Sequence, residues 1–231
     1  MEPRLLILET SGRVGQVAVA QGEVILHTRS LDEARRHARD LAPTVADLLA
    51  GAGWQARQLD GVIVSRGPGS YTGLRVGTMS AKTLAYATGC ALLGIETFVA
   101  IAAQMPLDAR AVDVIADAQQ DKVYVQSFVS AGPGHAWKAE TPLTIKTLSD
   151  WLGEKQRDTW VTGPGVHVYG SRLPQHGNVS RPEDWDPRAE SLLRLGLARY
   201  QANERDDLWT FEPLYLRPSS AEEKWLTRPG P

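Results

Sequence analysis

The first residues able to do chemistry follow the first apolar run, where a carboxylate, two hydroxyls and a glycine stand in a row. This stretch is Glu9-Thr10-Ser11-Gly12. A carboxylate in such a turn can hold Mg²⁺ through water, and the glycine lets the backbone approach a phosphate closely. A plain tight turn uses the same residue types. The sequence therefore predicts Glu9–Gly12 as a nucleotide-binding candidate, with turn formation as the alternative.

A second candidate is a glycine-rich loop that leads into a helix. Residues Arg66–Gly77 read RGPGSYTGLRVG. Free N–H groups at a helix N-terminus can bind phosphate. The spacing, however, is neither G-x-G-x-x-G nor the P-loop, and Ala81 stands where a P-loop would place a glycine before Lys82. We therefore do not predict a phosphate loop in this stretch.

The helix after this loop has a small residue at every fourth position, which forms a ridge on one helix face. Each internal glycine costs about 0.8–1 kcal/mol of helix propensity relative to alanine, so we expect another backbone to approach closely. That backbone belongs either to the same lobe or to a partner protein. We predict that it belongs to a partner protein and that a second helix of this chain contributes to the same interface. The predicted partner interface consists of Gly69, Tyr71, Gly73, Leu74, Gly77, Ala81, Leu41 and Val45.

The histidines and the cysteine do not form a metal-binding pattern. The five histidines include no His-x-x-x-His pair, and Cys90 is the single cysteine. Two ligands four residues apart on a helix, or a cysteine cage, are the patterns that hold a transition metal. The sequence therefore predicts no metal site and no metalloprotease. The serines also lack the G-x-S-x-G elbow of serine hydrolases.

Composition limits the classes of partner and location. The chain has 231 residues, 42% hydrophobic and 23% charged, with a net charge of −2 and a pI near 6.2. This balance gives no global basic field for nucleic acid, so any RNA contact would need a local basic patch or a partner. The apolar runs are far shorter than the roughly 20 residues of a membrane span. With one cysteine and no signal peptide, we predict a cytoplasmic protein.

The hydrophobic pattern predicts two versions of one α/β unit. The first has three strands, a helix, a strand, a helix and a strand, which is the βββαβαβ lobe of the actin/Hsp70-like (ASKHA) fold. The second is degenerate, with strands at Ala111–Ala116, Lys122–Val129 and His135–Ile145 and a helix at Pro187–Asn203. We predict an N-terminal lobe at 1–106, a smaller C-terminal lobe at 107–211 and an extended segment and tail at 212–231.

Several of these stretches resemble motifs of the TsaB (YeaZ) family. Residues Gly67–Gly77 match the family's G-P-G-S-[FY]-T-G-L-R-[VI]-G loop at all eleven positions. Leu6–Ser11 resembles the family's opening strand, and His37–Pro43 resembles its H-[SA]-x-x-L-x-P helix. Asp117–Tyr124 resembles its D-A-R-x-x-E-V-Y hairpin, and Pro213–Arg217 resembles its P-x-Y-L-R end motif. Together these motifs span nearly the whole chain.

The resemblance implies an actin-like fold and a role in forming N6-threonylcarbamoyladenosine (t6A) at position 37 of tRNAs that read ANN codons. In that family the protein is a non-catalytic partner of the transferase TsaD, and the ATPase TsaE joins the assembly. TsaC supplies threonylcarbamoyl-adenylate. The resemblance implies no cofactor of this chain's own, with ATP, ADP or magnesium only in the complex. Alone, such a protein is expected to form a homodimer.

Two departures from the family pattern and two alternatives stay open. Gln119 stands where the family often has arginine, and Pro164 removes a backbone donor from the Gly163–Gly165 turn. An ATP-dependent kinase of the same superfold would need a phosphate hairpin in each lobe. A self-contained homodimer would use the same helices as a complex with a partner, so the sequence does not separate the two.

Overall fold

In the computed structural model the described residues are 1–31, 37–132, 136–156, 158–174 and 178–216, and they form two β-sheets with flanking helices. The first sheet has five strands in the order β3-β2-β1-β4-β5. Its strands are β1 (Arg4–Glu9), β2 (Gln16–Gln21), β3 (Val24–Ser30), β4 (Gly61–Gly67) and β5 (Ala91–Glu96). Strand β1 pairs antiparallel with β2 and parallel with β4, which in turn pairs parallel with β5.

The central strands of this sheet are continuous apolar runs because helices cover both of their faces. On one face, helices α1 (His37–Gly51) and α2 (Tyr71–Thr88) enclose Leu6, Leu8 and Val64. On the other face, Leu5, Ile7 and Ile63 pack against the last helix of the described chain. The predicted order of three strands, a helix, a strand, a helix and a strand is confirmed for the described residues up to Glu96.

The second sheet contains β6 (Ala111–Asp117), β7 (Lys122–Val129), β8 (Lys138–Ala139), β9 (Thr144–Thr147) and β10 (Trp160–Thr162). Its order is β10-β6-β7-β8, and β9 pairs with the other end of β7. The single strand predicted at His135–Ile145 is wrong, because two short strands meet opposite ends of β7. His135 itself lies outside the described residues.

The remaining helices are α3 (Thr97–Ala102), α4 (Leu148–Glu154), α5 (Gly165–Tyr169) and α6 (Ala189–Gln201). Helix α6 packs on β1, β4 and β5 of the first sheet, although its residues fall in the predicted second lobe. The close approach requires Gly196, since a Cβ there would lie 2.5–2.8 Å from the Ile63 side chain. The domain limits at 106 and 211 stay a prediction.

After α6 the chain returns past the edge strand β5 and reaches the end of β4. The Asp206 N–H donates to Leu92 O (2.9 Å), and the Leu214 N–H donates to Arg66 O (2.7 Å). Residues 217–231 of the predicted tail lie outside the described part. Within the described ranges, no helix combines the length and the apolar character that crossing a bilayer would require.

Candidate functional site

The turn after β1 is fully buried and satisfies its carboxylate locally. Glu9 Oε1 accepts from Ser11 N (2.6 Å), Ser11 Oγ (2.7 Å) and Gly12 N (2.9 Å). The Thr10 N–H donates to Ser65 Oγ (3.2 Å), and Thr97 Oγ1 donates to Ser11 Oγ (3.0 Å). The four predicted nucleotide-binding residues are therefore together, but they lie inside the protein. The chain itself engages the N–H groups of Thr10, Ser11 and Gly12 and the Ser11 hydroxyl, whereas the Thr10 hydroxyl has no hydrogen-bond partner in the described part of the chain.

Burial determines how Glu9 titrates. Loss of hydration raises the pKa of Glu9, and the hydrogen bonds from Ser11 and Gly12 oppose that rise only in part. Glu9 Oε2 has no hydrogen-bond partner in the described part of the chain. Because the folded pKa exceeds the ordinary value of 4.5, the stability that Glu9 contributes is fully present below pH 4.5. It is lost as the pH rises through the folded pKa.

This sign gives a testable pH dependence for Glu9→Gln. We expect the unfolding free energy of the wild type, minus that of the variant, to fall as pH rises above 4.5, by up to about 1.4 kcal/mol per pH unit. Urea titrations between pH 4.5 and 7.5 measure the difference. The exposed Glu23→Gln change is the matched surface control. A difference that is constant or rises with pH would contradict a buried, destabilised carboxylate.

The small-residue ridge of α2 packs on this same turn. Ser70 caps the helix by accepting from Gly73 N (3.3 Å), and the Ser70 N–H donates to Ser11 O (2.8 Å). A Cβ added at Gly69 would lie 2.5 Å from Ser11 O. At Gly73 it would meet the carbonyl oxygen of Thr10, and at Gly77 the Thr10 hydroxyl, both far inside van der Waals contact.

These contacts correct the interpretation of the ridge as a seam between two proteins. The close backbone is β1 and its following turn, so Gly73, Gly77 and Ala81 are buried within their own lobe. Leu41, Val45 and Leu74 are also buried in the core. Of the predicted interface residues, Gly69 is exposed and Tyr71 is half-buried, with its ring 4.9 Å from that of Tyr215.

The opposite face of α2 carries exposed apolar side chains that the sequence analysis did not select. Met79 is 60% exposed and Tyr86 70% exposed, seven residues apart and therefore on one side of the helix. Trp209, 74% exposed, comes from the returning C-terminal segment and meets Tyr86 edge-on at 6.0 Å. The seven-residue spacing of Met79 and Tyr86 can be recognised in the sequence, whereas the position of Trp209 beside Tyr86 cannot.

The second lobe places the two family departures at separate turns. Gln119 begins the β6–β7 turn, where it and the next two residues all have positive φ. Pro164 lies just before α5, and the Val166 N–H donates to Gly163 O (3.0 Å) across it.

No cluster of three histidine, cysteine, aspartate or glutamate side chains suited to a metal ion occurs among the residues described. Cys90 is half-buried, and burial raises the pKa of its thiol.

Two tandem α/β lobes, the first with the order βββαβαβ, define an actin-like protein of the ASKHA fold. In this protein the turn after β1 is buried and held by its own hydrogen bonds. Residues 31–134 match the family model described as "TsaD: tRNA N6-adenosine threonylcarbamoyltransferase".

Known proteins of similar sequence and structure indicate which actin-like proteins this chain resembles. The chain is 27% identical to the Haemophilus influenzae tRNA threonylcarbamoyladenosine biosynthesis protein TsaB, over 98% of this chain and 97% of that protein. For the Bacillus subtilis protein of the same name the identity is 25%, over 96% and 97%. The solved structure of YeaZ from Pseudomonas aeruginosa aligns with a TM-score of 0.77 and 26% identity, over 93% of this chain and all of that one. The chain is therefore similar to proteins named TsaB and YeaZ over nearly its whole length.

Proposed function

We propose that this chain is a non-catalytic subunit that binds a TsaD-like threonylcarbamoyltransferase and supports t6A formation at position 37 of ANN-decoding tRNAs. The observation that carries the proposal is the similarity, over nearly the full length, to proteins named for threonylcarbamoyladenosine biosynthesis. The buried turn at Glu9–Gly12 supports a non-catalytic role, because a phosphate would have to displace the hydrogen bonds that close it.

The surface proposed for the transferase is the outer face of α2, which we call the α2 outer face and define by Met79, Tyr86 and the adjoining Trp209. Exposed aromatic and methionine side chains are enriched at protein interfaces, where they bury much area and lose little conformational freedom. Helix α1 lies beside α2 and extends the same side of the lobe. When the transferase is absent, the same face would serve a homodimer.

The other components follow from this assignment. The chain would carry no cofactor of its own, and ATP, ADP or magnesium would bind only in the complex, where a TsaE-like ATPase joins. With a net charge of −2, this chain would contact tRNA through its partners. A cytoplasmic location stays a prediction.

A charge placed on the α2 outer face tests the proposal. We expect Met79→Asp to weaken binding of the TsaD-like protein from the same organism by about 2–4 kcal/mol, or roughly 30- to 1,000-fold, because the aspartate would be buried unpaired. Stability should hardly change, since Met79 is largely exposed in the free chain. Calorimetric titration measures the affinity, and mass spectrometry of tRNA nucleosides measures t6A made by the reconstituted enzymes.

The matched control is Val168→Asp, which puts the same charge on an exposed apolar position of α5, 55% exposed and in the other lobe. It should bind and support t6A formation like the wild type. Equal binding by both variants would mean that the interface lies elsewhere. If the transferase makes t6A equally well without this chain, the proposed function itself is wrong.

A further inference from the structure

The second sheet has one face that helices cover only in part. Leu148 and Trp151 of α4, with Val166 and Tyr169 of α5, pack over Ile115 and its neighbours on β7. Of these side chains, Trp151 alone hydrogen-bonds to the next cross-strand pair on the same face, Asp113 and Ser127. A cavity of about 560 Å³ opens over that pair, a volume within the range of small-molecule sites.

Asp113 lies at the floor of this cavity and is held in one orientation. Its side chain accepts from Ser127 Oγ (2.7 Å) at Oδ1 and from Trp151 Nε1 (2.9 Å) at Oδ2. The residue is only 6% exposed. A carboxylate has about four acceptor positions, so these two bonds leave capacity for a donor that enters the cavity. A buried carboxylate without a cation is costly, which an arriving ammonium group would relieve.

Lys155 lies in the cavity wall. Its Nζ donates to Gln156 O (3.0 Å) and Thr159 O (2.7 Å), and a lysine ammonium has a third N–H. Burial lowers the pKa of Lys155, while the charge of Asp113 acts against that change. The two side chains therefore influence each other, yet no ion pair joins them among the described residues. A ligand with both charges can occupy the intervening space.

The rim adds polar groups of both signs. Lys146 forms an ion pair with Glu154, and Glu140 contributes a further carboxylate. Neither a simple anion nor a simple cation matches such a lining, because each would meet a like charge close by. A dipolar molecule can place its ammonium group at the acid and its carboxylate at the lysine.

We propose that this cavity is a binding site for a free α-amino acid, with the ammonium group on Asp113 and the carboxylate on Lys155. The site is separate from the α2 outer face, so it does not depend on the proposed function. Two charge-assisted contacts of this kind fix the orientation of the ligand, and the remaining volume accepts its side chain and water.

The twenty proteinogenic L-amino acids, titrated one at a time into the full chain, test the site by calorimetry and by thermal melting. We expect at least one to bind with a Kd below about 1 mM. Its α-amide lacks the carboxylate and its N-acetyl form lacks the ammonium group, so each should bind at least ten times more weakly. No binding by any of the twenty, or equal binding of either derivative, would overturn the proposal.

Two substitutions locate the ligand. Asp113→Asn and Lys155→Met should each weaken the amino acid that binds by tenfold or more, whereas Asp108→Asn and Lys138→Met, exposed and outside the cavity, should not. Since Asp113→Asn alters a buried hydrogen-bonded group, Lys155→Met decides the matter if the first variant does not fold. Unchanged affinity in Lys155→Met would place the ligand elsewhere and overturn the proposal.

Discussion

Replacing Gly73 by alanine should lower the unfolding free energy of this protein by about 2–3 kcal/mol. The new methyl group would meet the backbone carbonyl of Thr10, and neither α2 nor the end of β1 can yield without disturbing the turn at Glu9–Gly12. Because the clash is with backbone rather than with a flexible side chain, we expect a cost above the typical range of overpacking, about 3–4 kcal/mol, less the gain of up to about 1 kcal/mol in helix propensity. Thermal melting should show a fall of roughly 5–10 °C for a chain of this size.

Gly153→Ala is the matched control, because Gly153 is also helical but a Cβ there has no neighbour within 4 Å. It should leave the melting temperature unchanged or raise it, since alanine is the better helix former. The seam interpretation makes the opposite prediction for Gly73→Ala, namely intact stability with weakened partner binding. That result would restore the ridge as an intermolecular contact.

Replacing Gln104 by alanine should cost about 2–4 kcal/mol. The side chain links the end of α3 to the segment before α6. Its Nε2 donates to Asp184 O (3.3 Å) and Asp186 O (3.0 Å), and its Oε1 accepts from Arg188 N (2.9 Å) and Ser191 Oγ (2.9 Å). Ser191 Oγ keeps its bond to Arg188 O, and Asp184 O keeps the one it accepts from Thr162 Oγ1, whereas Asp186 O and Arg188 N lose the bond to Gln104. Each partly buried group left without a partner costs about 1–3 kcal/mol.

Urea unfolding measures this loss, and Gln201→Ala, exposed at the end of α6, controls for the loss of a glutamine side chain. Gln104→Met separates hydrogen bonding from volume, because methionine fills a similar space without polar atoms. We expect it to be nearly as destabilising as alanine. Wild-type stability in Gln104→Met would show that packing, rather than the four hydrogen bonds, anchors the segment.

The sequence by itself determined the order of elements in the first lobe and the resemblance to the TsaB (YeaZ) proteins. Its central strands lie between two helical layers, so both of their faces are apolar. Each strand is therefore a continuous apolar run that can be recognised in the sequence without knowing which strand pairs with it. The glycine and serine positions mark the ends of α2 directly, through the cap at Ser70 and the left-handed Gly89. Helices α3 and α5, of six and five residues, were missed because so short a segment shows no helical period.

The tertiary structure decided which surfaces those elements use. A ridge of glycines predicts that some backbone comes close, but only the fold shows that it is the turn at Thr10. Trp209 lies 123 positions after Tyr86, and the buried Asp113 meets Trp151 from 38 positions away. Local pattern carries no information about such contacts, because the path of the chain between the partners sets them. The sequence therefore determined the order of elements in the first sheet and its α1 and α2 layer, whereas the return of the chain and side-chain packing decided the α2 outer face and the second-lobe cavity.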